Sequence, residues 1–260
     1  MTALSIITIT RNNSAGLIRT LDSSRPLLVR DDVEVVVVDG ASTDETMAAL
    51  GTWCASAPGV RCIFISERDN GIYDAMNKGL ALSSGRHVIY MNSGDIFPSD
   101  FQIDPASFDA STVYYGDARF ESPQGSYLKR YRIGGVFAFL SHNAFCHQAI
   151  YYPRELLHSL GGYNLTYQVS ADFDLTLRCF LYAPFQSLAQ VCCICELGGF
   201  SHQHGWRSYR ERMRSQWANT GLWCWLPLVF YAPVFYFKHR IVKLLDGSRL
   251  LMWYRHARYD

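Results

Sequence analysis

Six short polar clusters hold the side chains best suited to chemistry: Thr10 to Asn13, Asp39 to Asp44, Glu67 to Asn70, Asn92 to Asp95, the pair His147-Gln148, and Ser170 to Asp174. A carboxylate set of this kind can bind hydroxyls, hold a hard cation that in turn holds phosphate, or take a proton from a hydroxyl. Asp95 can supply the one carboxylate that Mg2+ commonly takes from protein, with Asn92 as a weaker helper and phosphates and water filling the shell. Asp39 can accept hydrogen bonds from a nucleobase or ribose, with Thr10 and Asn12 lining the same pocket, or it can simply close a turn or cap the next helix. Lys78 can balance diphosphate charge or lie on a solvated helix face. Asp172 sits at the start of a helical segment, where the helix dipole favours the ionised carboxylate that a general base requires.

These residues need a scaffold that brings loop ends together, and the apolar pattern predicts one. Leu4 to Thr10 reads as a strand, and Ser14 caps a helix to about Leu28. The Val-rich run Val33 to Val38 reads as a parallel strand covered on both faces. A helix follows to about Ala55, then a strand over Arg61 to Ser66, a helix over Gly71 to Leu82 and a strand over Arg86 to Met91. Such alternation implies right-handed βαβ units whose ligands bind at the carboxyl ends of the strands, where the first four polar clusters fall. The stretch Glu67 to Asp95 therefore places a polar loop at each end of one helix and strand. Neither G-x-G-x-x-G after the first strand nor a phosphate-loop motif is present.

Beyond Phe97 the pattern loosens. Val113 to Phe120 and Gly125 to Ile133 read as a hairpin, and Cys146 to Tyr152 as a strand stopped by Pro153. Arg154 to Leu160 reads as a short helix, and Ser170 caps a helix over ADFDLTLRCFLYA. Tyr73, Met76 and Leu80 at helical spacing read as core, Asp44 as a helix N-terminal charge, and Asp174 as a structural contact.

The chain of 260 residues, 49% apolar and 18% charged, suits one large α/β domain or one domain with an appendage. Its net charge of +1 hides an asymmetry: residues 201–260 carry ten Lys/Arg against three Asp/Glu, about +7, leaving about −6 elsewhere. His204 to Thr220 reads as a basic helix. The run Leu222 to Phe237 is too short to span a bilayer and is broken by Pro227 and Pro233. With Lys238, His239, Arg240 and Lys243 after it, the run reads as a membrane-surface element; its other reading is a core segment or a dimer contact, which leaves room for a homo-oligomer. No nucleic-acid motif accompanies the basic charge. The N-terminus, MTALSIITIT, reads as a first strand and not as a signal peptide. Of eight cysteines, Cys192, Cys193 and Cys195 fall in an apolar strand, Leu188 to Leu197, with no second pair at zinc-site spacing. That pattern predicts reduced, structural thiols in a cytoplasmic protein.

The motifs VVVVDGASTDET, SERDNGIYDAMNKGLALSSGRHVIYMNSGD, FCHQAIYY and VSADFDLTLR, in that order over about residues 4 to 200, resemble those of bacterial family 2 glycosyltransferases of the GT-A fold, such as those of colanic acid and other exopolysaccharide synthesis. The resemblance implies a mostly parallel central sheet flanked by helices, in which residues 1–97 would bind the nucleotide sugar and 98–200 the acceptor. Residues 201–260 lie beyond it, and their helical, aromatic and basic composition alone assigns them to the membrane. The resemblance also implies that Asp39 contacts the nucleoside, that Glu67 or Asp69 lies near the nucleotide, and that Asn92-Ser93-Gly94-Asp95 stands in place of a DxD metal motif. Asp95, with His202 or His204, would then hold Mg2+ or Mn2+. His147 and Gln148 would meet the donor or acceptor sugar, and Asp172 would be the base. With one base and no covalent nucleophile, inversion at the anomeric carbon follows. The donor would be a UDP- or GDP-sugar and the acceptor a lipid-linked saccharide in surface polysaccharide synthesis, on the cytoplasmic face of the membrane. The departure from two aspartates leaves a second reading, a noncatalytic nucleotide-sugar binder or scaffold.

Overall fold

The computed structural model describes residues 1–132, 145–196 and 205–221. Strands β1 (Leu4–Thr10) and β2 (Val33–Asp39) are buried along their whole length, which is why both are uninterrupted runs rich in Ile and Val. β3 (Arg61–Ser66) is the edge strand and is partly exposed, and β4 (His87–Tyr90) is short and buried. Helices α1 (Ser14–Leu28), α2 (Thr46–Ser56) and α3 (Ile72–Leu82) make the crossovers between them.

These four strands are parallel, in the order β3, β2, β1, β4. The chain leaves β1 toward β2 on one side and returns to β4 on the other, so the β1 end lies at a topological switch point, where open α/β sheets bind ligands. Thr10, Asp39 and Ser66 stand in register at that end. At the opposite end of the same strands Ser5, Glu34 and Arg61 form another row. The Glu34 carboxylate there is fully buried, accepting from Ser5 Oγ at 2.6 Å, Ser84 N at 2.6 Å and Ser84 Oγ at 2.8 Å, with Arg61 Nε at 3.1 Å. A buried charge needs such partners, and this one anchors the non-ligand end of the sheet.

β5 (Val113–Ser122), β6 (Gly125–Lys129), β7 (Ile150–Pro153) and β8 (Phe185–Glu196) complete an eight-stranded sheet of the described residues. β7 joins the halves, antiparallel to both β4 and β5. β5 and β6 form the expected hairpin, and β8 runs parallel along the other edge of β5. Helix α4 (Arg154–Ser159) follows β7. Helix α5 (Ala171–Tyr182) packs on α6 (Gly205–Thr220) through Asp174, which accepts from Ser215 Oγ at 2.7 Å and Arg178 Nε at 2.8 Å. Asp174 is thus structural, as expected. The result is the mixed α/β sheet flanked by helices that the sequence predicts.

Three local expectations need correction. The side chain that caps α1 belongs to Asn13, whose Oδ1 accepts from Gly16 N at 3.1 Å; the Ser14 hydroxyl donates instead to Glu45. The strand expected from Cys146 begins only at Ile150, because His147–Ala149 form a 3-10 turn closed by Ala149 N to Cys146 O at 2.9 Å. The Cys146 thiol donates to Gln148 Oε1 across this turn. Ser170 is the N-cap residue of α5, yet its hydroxyl pairs with Ser208 Oγ, and the turn before the helix is held by Glu211.

Candidate active site

The loop after β4, Asn92 to Asp95, is held from below by α1. Buried Thr20 donates from Oγ1 to Asp95 O at 2.7 Å and accepts from Gly94 N at 3.0 Å. Ser93 N donates to Ile9 O at 3.1 Å, and Gly94 N also lies 3.1 Å from Gly16 O. Gly94 has a φ of 106°, a conformation that other residues resist, so glycine is what lets the loop turn Asp95 inward. The Asp95 carboxylate is half-buried and accepts from Gln148 Nε2 at 2.8 Å. Burial raises its pKa to about 6, with the Gln148 hydrogen bond and His147 opposing the rise.

His147 links this loop to the second carboxylate. Its Nε2 lies 3.3 Å from Asn92 Nδ2, and its Nδ1 lies 3.7 Å from Asp172 Oδ2 in the first turn of α5. Burial opposes charge on both partners, but their mutual attraction outweighs it, raising the His147 pKa and lowering that of Asp172. The Phe173 N–H and Arg212 also favour the Asp172 carboxylate. Tyr73, expected to be core, is buried, but its hydroxyl lies 2.9 Å from Val169 O and 3.3 Å from Asp172 Oδ1. Burial raises its pKa, so it stays a neutral donor.

The turn before Asp172 is held from α6. Glu211 accepts from Val169 N at 2.8 Å, Ser170 N at 3.0 Å and Gln168 N at 3.2 Å, and pairs with Arg207 at 3.0 Å. Neither Glu211 nor Thr20 carries a sequence signal for these contacts, which join residues far apart in the chain. Arg212, which reads as part of a basic tail, stacks over Phe173 at 4.4 Å.

At the β1–β2 end, Asp39 is fully buried and accepts from Ser42 N at 2.9 Å and Ser66 Oγ at 2.6 Å, as well as from Ser42 Oγ. It therefore closes the 39–42 turn. Asn12, with φ 47°, donates its N–H to Ser42 Oγ at 2.7 Å and accepts from Thr43 N at 2.8 Å, which zips the β1 and β2 loops together. Thr10 Oγ1 is buried with no hydrogen-bond partner among the described residues. Asp69 accepts from Gly71 N at 2.9 Å, and a Cβ at Gly40 would lie 2.5 Å from its Oδ2, so the β2 and β3 loops touch at a glycine. Lys78 Nζ pairs with Glu67 Oε1 at 2.7 Å and donates to Arg68 O at 2.7 Å, so it spans to the β3 loop from α3. The Glu67 hydrogen bond raises its pKa.

Thus Asp95, Asn92, His147, Gln148 and Asp172 form one connected group, and Thr10, Asn12, Asp39, Glu67, Asp69 and Lys78 line neighbouring loop ends. His202 and His204 lie outside the described residues. The donors at the first group suit a hard cation: Asp95 offers a carboxylate, and the buried Asn92 Oδ1 has no partner among the described residues. Asp95 would hold Mg2+ or Mn2+ with Asn92 beside it, and such an ion neutralises diphosphate charge.

Comparisons with known proteins bear on the fold and the family. A mannosyltransferase from Pyrobaculum calidifontis, PcManGT, solved with GDP-Man and Mn2+, superposes with a TM-score of 0.62 at 22% identity, over 82% of this chain and 62% of that one. Residues 1-349 of S. aureus TarS superpose with a TM-score of 0.60 at 18% identity, over 85% of this chain and 66% of that one. The chain thus spans just under two thirds of the length of these solved structures, whose likeness shows the shared GT-A fold. A PGL/p-HBAD biosynthesis glycosyltransferase of Mycobacterium tuberculosis (strain ATCC 25177 / H37Ra) is 37% identical over 187 residues, covering 68% of this chain and 69% of that protein. The model of glycosyl transferase family 2 matches residues 5–157, more than half of the sequence, and the chain belongs to that family.

Proposed function

We propose that the chain is an inverting hexosyltransferase that moves a sugar from a UDP- or GDP-sugar to a hydroxyl of a lipid-linked saccharide in surface polysaccharide or glycolipid synthesis. The observation that carries this reading is the adjacent pair His147 and Gln148, which reaches Asp172 with one side chain and Asp95 with the next. A donor diphosphate beside Asp95 and an acceptor hydroxyl beside Asp172 would therefore flank the same short turn.

Asp172 is the base. Its depressed pKa keeps it ionised at neutral pH, and His147, Tyr73 and the start of α5 hold it in place. It removes the acceptor proton as that oxygen attacks the anomeric carbon, while the bond from that carbon to the diphosphate oxygen breaks and the nucleoside diphosphate leaves. No covalent nucleophile is needed for this displacement, which inverts the anomeric centre. Thr10, Asn12 and Asp39 bind the nucleoside, which requires Asp39 to give up contacts to Ser42 or Ser66, and Lys78 exchanges Glu67 for the diphosphate. The relatives support the donor class: TarS has been solved with UDP-GlcNAc and PcManGT with GDP-Man and Mn2+.

The reading divides the chain into residues 1–97 for the donor, 98–200 for the acceptor and 201–260 as a tail that associates with the cytoplasmic face of a membrane. Among the described residues no helix is long and apolar enough to cross a membrane. The aromatic run Leu222 to Phe237, which supports the peripheral contact, lies outside the described residues. Liposome binding that survives deletion of residues 222 to 260 would count against that contact.

Asp172→Asn should lower kcat by about 10²- to 10⁴-fold and leave nucleotide-sugar binding within a few fold. Nearly normal turnover would sink the base assignment. The asparagine at position 92, in place of an aspartate, favours the second reading, a noncatalytic nucleotide-sugar binder. Cation-dependent transfer or donor hydrolysis that a chelator suppresses would exclude it.

A further inference from the structure

Cys146 is far in sequence from Cys193 and Cys195, yet the fold brings the three sulfurs together. The Sγ–Sγ distances are 3.8 Å for Cys146–Cys193, 3.6 Å for Cys146–Cys195 and 3.6 Å for Cys193–Cys195. Cys193 and Cys195 are buried on one face of β8, on either side of Ile194, and half-buried Cys146 meets them from the turn before β7. The sequence contains no recognisable zinc spacing because the third ligand comes from a distant element.

We propose that these three thiols form a soft-metal site for one Zn2+-like cation, separate from the hard-cation position at Asp95. Three thiolates at about 2.3 Å from a tetrahedral Zn2+ stand about 3.8 Å apart, close to the spacing observed before any metal enters. Soft thiolate sets select Zn2+ or Cu+ over Mg2+ and Mn2+, so the two positions would discriminate between ions by chemistry. An oxygen donor lies beside the cluster: Gln148 Oε1 is 2.9 Å from Cys146 Sγ. Ile96 and Ile194 exchange backbone hydrogen bonds at 3.0 and 2.8 Å, setting Asp95 opposite Cys195. The soft site therefore lies directly behind the oxygen donors.

A consequence concerns Gln148. Its Oε1 accepts from the Cys146 thiol while its Nε2 donates to Asp95. Metal binding to Cys146 would release its thiol proton to solvent, and a thiolate cannot donate, so metal loading would break one of the two contacts that orient this amide. The site stands on the thiol geometry alone and does not depend on the transfer reaction.

The test is titration of the reduced, chelator-treated full-length chain with Cd2+ and with Zn2+, in excess Mg2+. One equivalent of Cd2+ should produce thiolate-to-metal charge-transfer absorption, which Mg2+ cannot produce. Cys193→Ser/Cys195→Ser should abolish it, while Cys54→Ser/Cys62→Ser should retain it. The second pair is a fair control, since those two sulfurs also lie 3.4 Å apart. Should the first double variant fail to fold, alkylation of the wild type decides: Zn2+ should slow labelling of half-buried Cys146 by more than about tenfold, leaving half-buried Cys54 unprotected. Absence of charge transfer with no protection, or loss of the signal in the Cys54/Cys62 variant instead, overturns the proposal and leaves three packed thiols.

Discussion

His147 Nδ1 stands 3.7 Å from Asp172 Oδ2, joining the turn before β7 to the first turn of α5. The pair has opposite protonation preferences that reinforce each other. The Asp172 pKa lies below its ordinary 3.8, so its contribution to stability is present above that value and is lost as pH falls through the lowered one. The His147 pKa lies above its ordinary 6.5, so its contribution is present below that value and is lost as pH rises through the raised one. The stability lost in His147→Gln should therefore be greatest between about pH 3.8 and 6.5 and shrink on both sides, as measured by chemical denaturation across pH. Turnover should fall by about tenfold or more, with the acid limb of kcat/KM moved upward as Asp172 loses its partner.

Cation binding should titrate with Asp95. Its pKa near 6 means that protons compete with Mn2+ below that pH, so affinity measured with bound nucleotide should weaken by about tenfold per pH unit there and level off above. Asp95→Asn should remove this pH dependence along with most of the cation affinity. An unchanged Mn2+ titration in that variant would place the ion elsewhere.

Glu211 supports the base from α6. Glu211→Ala leaves the Val169, Ser170 and Gln168 N–H groups without their acceptor, which should cost about 1–3 kcal/mol in denaturant unfolding. Several contacts lower the Glu211 pKa against the opposing effect of burial, so its stabilisation is present above its ordinary 4.5 and is lost as pH falls through the lowered value. Because the same turn aims Asp172, kcat should fall while KM for the donor changes little.

Two helix glycines should respond oppositely to alanine. A Cβ at Gly79 in α3 would lie 2.3 Å from Ile7 Cγ2 on β1, so Gly79→Ala should destabilise by about 1–3 kcal/mol. A Cβ at Gly51 in α2 meets nothing within 4 Å, so Gly51→Ala should stabilise by about 0.5–1 kcal/mol through helix propensity. Thermal unfolding of the two variants should shift in opposite directions.

The first half of the fold was legible because its signals are local. The apolar runs of β1, β2 and β3 need burial on both or one face, and the observed strands match them to within a residue. The polar ends follow at once, since parallel strands joined by helices must deliver their carboxyl ends to one edge. The resemblance carried by the motif order gave the GT-A fold, while the contacts of His147 and Gln148 with Asp172 and Asp95 came only with the structure.

Contacts between distant segments were decided only in three dimensions. Nothing near Ser170 says that Glu211 will hold the turn before it, and nothing near Tyr73 says that a core ring will reach Asp172 with its hydroxyl. The cysteines make the point most sharply. A spacing rule reads ligands that are neighbours in sequence, whereas Cys146 comes to Cys193 and Cys195 because β5 pairs with both β7 and β8. Periodicity reports which face of an element is buried; which face of another element covers it is set by packing across the whole chain.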